Sequence, residues 1–130
     1  MKRIAFWLIA LTLLVSGLTL ASAAEKTKKT KLRHVVCFKF KEGTTKEQIK
    51  VVEDAFRALK TKIPTVKSLE WGTNVSKENR EKGFTHCFLL GFATEKDRDD
   101  YAVHPDHKEF GKLIGPVIAD VFVIDYWTKD

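Results

Sequence analysis

From Leu32 onward the apolar residues fall into two periods. In LRHVVCFKFK, residues 32–41, one face carries His34, Val36, Phe38 and Phe40 and the other Arg33, Val35, Cys37 and Lys39. A period of two is that of a strand whose faces meet different surroundings. The period then changes. Ile49, Val52, Phe56, Leu59 and Ile63 recur three or four residues apart, an apolar stripe along a helix. Thr44 followed three residues later by Glu47 predicts its capping box, and Pro64 its end.

Alternation returns in residues 66–75, with Leu69, Trp71, Thr73 and Val75 on one face. It returns again in residues 84–93, where Phe84, His86, Phe88, Leu90 and Phe92 share a face. The polar stretch SKENREKG, residues 76–83, turns the chain between them. Thr94 with Asp97 predicts a second helix start. Pro105 suits the first position of a further helical turn, where its missing N–H would be unpaired anyway. From there His107, Phe110, Gly111 and Ile114 form one stripe, closed by Gly115-Pro116, and VFVIDYW, residues 121–127, is the last strand.

The order β-α-β-β-α-β is the split βαβ pattern of ferredoxin-like domains. This α+β fold packs its helices on one face of a four-stranded antiparallel sheet. The other face would carry Val35, Cys37, Cys87 and Leu89, with Gly91 and Ala93 beyond. An apolar face without a cover predicts a homodimer joined through it, two sheets enclosing a barrel.

The segment ahead of the domain changes the picture of where it works. Lys2 and Arg3 precede an almost wholly apolar run, Ile4 to Leu20, and Ala21-Ser22-Ala23 offers a small-x-small cleavage site. This predicts a signal peptide over residues 1–23, an exported protein, periplasmic or secreted, and no stable membrane insertion after cleavage. Residues 24–31, AEKTKKTK, read as a lysine-rich linker, residues 32–127 as the domain and 128–130 as a tail.

The formal net charge is +6, but Lys2, Arg3 and the linker account for five of those charges. The domain itself is nearly neutral, which argues against nucleic acid as its partner. Cys37 and Cys87 both fall inside strand patterns. They read as two small buried thiols, with no bridge expected within the subunit, since adjacent strands rarely offer the geometry.

Chemistry concentrates in the histidines. Alternation puts His34 and His86 on the faces of the large apolar residues, and His107 shares the stripe of the last helix. Three of the four histidines therefore point toward one interior, with Tyr101 nearby, while His104, just ahead of Pro105, suits a helix cap. Zinc is disfavoured because both cysteines fall on the opposite sheet face. The chain carries no glycine-rich phosphate loop and no nucleophile elbow.

Taken together, HVVCFKFKEG, WGTNVSKENREKGFTHCFLLGF, YAVHPDHKEFG and VIDYW resemble the stress-responsive dimeric α/β-barrel family over residues 32–127. The resemblance to polyketide cyclases of that family implies catalytic roles for Tyr101 and His107 in the Y-x-x-H-P-x-H motif. It implies pocket positions for His34 and His86, with Phe56 standing where those cyclases carry a hydroxyl-bearing aromatic. Phe110, on the stripe of His107, joins them as a ligand-binding candidate. His107 would then be a general base, and Tyr101 would hold a carbonyl oxygen and stabilise the enolate. Neither a metal nor an organic cofactor is implied. A polyketide made in the cytoplasm would not meet an exported domain. The leading expectation is therefore a barrel that binds a small apolar or carbonyl-containing molecule. A cofactor-free cyclase-like or isomerase-like enzyme and a haem-binding barrel are the alternatives.

Overall fold

A computed structural model describes residues 30–129. The expected signal peptide and most of the linker lie outside the described residues. Seven elements follow in order: β1 (Leu32–Phe40), α1 (Lys46–Lys62), β2 (Ser68–Thr73), β3 (His86–Phe92), α2 (Glu95–Val103), α3 (Pro105–Ile114) and β4 (Ile118–Trp127). The four strands form one antiparallel sheet in the order β2-β3-β1-β4. This is the ferredoxin-like fold, with its second helical segment broken in two.

Local chemistry explains the boundaries. The capping box of α1 sits one residue later than the sequence suggests, on Thr45 and Gln48. Thr44 is drawn away because its hydroxyl donates to the Lys41 carbonyl at 2.7 Å. Thr94 caps α2 by accepting from the Asp97 N–H. Pro105 starts α3, capped by His104, whose ring nitrogen accepts from the Asp106 N–H at 3.2 Å. The residue before a proline is pushed out of helical backbone, so α2 ends there and α3 leaves at a new angle.

The core lies between the sheet and the helices. Val52, Phe56, Leu59 and Ile63 of the α1 stripe meet Val36, Phe38, Phe88 and Leu90 of the central strands. Phe56 stacks on Phe88 with ring centres 3.9 Å apart. Trp71 of β2 continues that stack, 5.5 Å from Phe88.

Two sequence expectations need correction here. Phe84 does not share the face of His86. Thr85 N–H donates to the Phe38 carbonyl although His86 is the residue opposite Phe38, a bulge that inserts one residue. Phe84 is thereby turned to the open face, where it packs 6.4 Å from Phe122. The cysteines are not buried in the single chain either: Cys37 is half-buried and Cys87 exposed, because no helix covers their side of the sheet. Phe122, Ile124 and Tyr126 of β4, opposite Cys37, Val35 and Arg33, extend that open apolar face.

Candidate functional site

Beneath α2 and α3 a cavity of about 250 Å³ opens between helices and sheet. Its walls include His34 from β1, Phe56 from α1, Tyr101 from α2, and His107 and Phe110 from α3. Val121 and Val123 of β4 form one side and remain half-exposed, because the helices sit over the central strands and leave β4 uncovered. The break at Pro105 is what aims Tyr101 and His107 at the same space, with ring centres 4.5 Å apart.

Each polar group here is held in a definite state. The Nδ1–H of His107 donates to the Ala102 carbonyl at 3.1 Å, which leaves Nε2 with a free lone pair. Burial holds the pKa of His107 below the ordinary histidine range; the Ala102 bond opposes this, and the nearness of His34 and His104, which would repel a second positive charge, adds to it. His107 is therefore a neutral proton acceptor near pH 7. Burial pushes the Tyr101 phenol far up, so it stays a neutral donor. Its ring is sealed, yet the hydroxyl has no protein hydrogen bond among the described residues and is not closed off from the cavity.

His34 closes the group. Its ring lies 5.8 Å from that of Tyr101, and its Nδ1 meets Asp125 Oδ1 at 2.6 Å. The Arg98 guanidinium approaches the other oxygen of Asp125 at 3.4 Å. With Nδ1 engaged by a carboxylate, Nε2 is the ring nitrogen left without a protein partner among the described residues. Asp125 was not singled out from the sequence. The available signal was the pairing of first and last strands, which sets Asp125 opposite His34.

His86 is not part of this cavity. It stands opposite Phe38, whereas His34 stands opposite Leu90. Four strand positions separate them, roughly 13 Å at about 3.3 Å per residue. Alternation fixes the face of a strand but not the position along it, so His34 and His86 share a face without sharing a site. His86 is instead almost fully buried, with Nε2 3.0 Å from Glu53 of α1 and Nδ1 2.8 Å from the Thr85 hydroxyl. It ties α1 to the sheet. Among the described residues no cluster of three or more histidine, cysteine, aspartate or glutamate side chains is arranged to hold a metal ion.

The stress-responsive A/B barrel domain model matches residues 32–128. The chain belongs to that family. It is 34% identical over 95 residues to the stress-response A/B barrel domain-containing protein HS1 of Arabidopsis thaliana, a match covering 73% of this chain and 87% of that protein. It is 30% identical over 98 residues to olivetolic acid cyclase of Cannabis sativa, covering 75% and 97%. Among solved structures, the hydroxynitrile lyase of Passiflora edulis superposes with a TM-score of 0.72 at 26% identity, covering 77% of this chain and 94% of the other. A dimeric protein of ferredoxin-like fold from Bacteroides fragilis superposes with a TM-score of 0.62 at 25% identity, covering 75% and 96%.

Proposed function

We propose that this chain is an exported dimeric barrel protein whose cavity takes up a small, largely apolar molecule carrying a carbonyl group. The observation that carries this reading is the set of groups left free in the cavity. Apolar walls surround a neutral donor, the Tyr101 hydroxyl, a neutral acceptor, His107 Nε2, and the ring of His34, whose Nε2 has no protein partner among the described residues. Apolar walls with a few convergent polar groups are what a small-molecule site requires. Benzaldehyde is a suitable probe: titrated into the unmodified protein and followed by ligand-detected NMR, it should bind saturably. Binding undiminished in His107→Ala and Tyr101→Phe would place the ligand elsewhere.

Cofactor-free catalysis is the second reading, favoured by the fixed tautomer of His107. A base with a free lone pair beside a neutral phenol can take a proton from carbon next to a carbonyl, or from the hydroxyl of a cyanohydrin, while the phenol holds the oxygen. The likeness to a cyclase and to a hydroxynitrile lyase supports chemistry of this class. Mandelonitrile cleavage, read as benzaldehyde release, tests it directly. A haem fits poorly in about 250 Å³.

Dimerisation and export complete the proposal. The open face carries Phe122, Ile124 and Tyr126, each close to half exposed in the single chain, beside Val35, Cys87 and Leu89. The B. fragilis neighbour is a dimer, which supports a second copy as the cover. Export rests on the pattern of residues 1–23. N-terminal sequencing of the protein from an extracytoplasmic fraction should start at Ala24.

A further inference from the structure

Gly111 stands within α3, one turn after His107, where a glycine costs helix stability relative to alanine. The two ordinary reasons for a glycine are missing. Its φ is not positive, unlike those of Gly43 and Gly83. A Cβ added to it would meet no other element, and no side chain beyond its chain neighbours, within 4 Å. What Gly111 does border is the cavity, which it lines together with His107, Phe110 and Ile114 of the same helix. Helical spacing sets Phe110 and Gly111 on opposite edges of that face. Phe110 turns toward α1, its ring 5.2 Å from that of Phe56, so Gly111 turns away from α1. On that side lies β4, whose Val121 and Val123 line the cavity yet remain 43% and 49% exposed. The other apolar walls, Phe38, Phe56 and Phe110, are buried. The rows of the sheet order this space from end to end. His34 stands opposite Asp125, Val36 opposite Val123 and Phe38 opposite Val121. Tyr101 and His107 gather at the His34 end, while Phe110 stacks near Phe38 at the other. The gap at Gly111 therefore opens beside the apolar end.

We propose that Gly111 selects the ligand, by leaving room between α3 and β4 for the extended apolar tail of a carbonyl compound. The inference rests on the reading of the cavity as a carbonyl-binding site. With the carbonyl held at the polar end by the Tyr101 hydroxyl, the tail runs along α3, past Gly111, and over Val121 and Val123. Tail and valines then remove each other's apolar surface from water. The gap lies on the helix side of the sheet, not on the open face assigned to the second copy. A leucine at position 111 would reach across to the valines and supply, from the protein itself, the contact that the tail provides.

The test compares benzaldehyde with 4-butylbenzaldehyde on the unmodified full chain, Gly111→Ala and Gly111→Leu, by ligand-detected NMR and thermal melting. Each buried methylene adds about fourfold in affinity, so the unmodified protein should bind the butyl compound at least about tenfold more tightly. Gly111→Leu should bring that ratio down toward unity. Gly111→Ala should keep part of it and melt about 2–8 °C higher, because the alanine gains helix stability and meets no obstacle. Four results would overturn the proposal: no preference for the butyl compound in the unmodified protein, a ratio unchanged in Gly111→Leu, equal loss of both aldehydes in that variant, or a lower melting temperature for Gly111→Ala. Binding of neither aldehyde to the unmodified protein would instead refute the carbonyl site on which the proposal rests.

Discussion

Replacing His107 by alanine removes a ring with three jobs. Its Nδ1–H bonds the Ala102 carbonyl at 3.1 Å, its face packs 4.5 Å from Tyr101, and it forms part of the cavity wall. The lost hydrogen bond costs about 0.5–1.5 kcal/mol, and the ring contact about as much again. The total of about 1–3 kcal/mol lowers the melting temperature by about 4–8 °C for each kcal/mol in a domain of this size. If His107 also accepts a proton from the substrate, turnover falls by about 10²–10⁴-fold. Stability loss alone does not produce a drop of that size in protein that remains folded.

His107→Gln separates the two roles. Its amide N–H can replace the donor to Ala102, but its carbonyl oxygen is no base. The glutamine variant should melt close to the unmodified protein while mandelonitrile turnover stays as low as in the alanine variant. Calorimetry and a benzaldehyde-release assay on the three proteins decide the matter. Benzaldehyde affinity and turnover unchanged in both variants would reduce His107 to architecture.

The pH dependence follows with its sign. Burial lowers the pKa of folded His107, so near its ordinary value of about 6.5 the unfolded chain binds the proton more readily. Stability is then highest above the unfolded pKa and declines as pH falls through it toward the folded pKa. Between about pH 7 and about pH 5 the unmodified protein should lose more stability than His107→Gln, which lacks this component. Activity that depends on the neutral ring should rise with pH to a plateau.

Tyr101→Phe should leave stability within about 0.5 kcal/mol, since its hydroxyl has no protein partner to lose, while benzaldehyde binding by NMR weakens; a large fall in the melting temperature with unchanged affinity would refute this. Phe56→Ala should cost about 3–5 kcal/mol by denaturant titration, because a fully buried ring stacked on Phe88 leaves a cavity. Ile124→Glu should convert the dimer to monomer or aggregate in sedimentation, since the second copy would bury an unpaired charge; an unperturbed dimer would move the interface off this face.

Periodicity alone was enough for the architecture of this protein. The alternation in residues 32–41 and 84–93 and the stripe from Ile49 to Ile63 report which side of each element is apolar, and that is a local property. The faces of His34, Phe56 and Phe110 and the start of α3 at Pro105 follow from the same local rules. Position along a strand does not, because it depends on register with a distant partner. Register put His86 with Glu53 and Thr85, set Asp125 against His34, and brought Cys37 and Cys87 face to face. A one-residue bulge at Thr85 sent Phe84 to the opposite face from the one its alternation indicates. The tautomer of His107 likewise needed the Ala102 carbonyl, which only the turn between α2 and α3 brings within reach. Side-chain pattern is written residue by residue, whereas pairing and protonation state are set by groups that meet only once the sheet has closed.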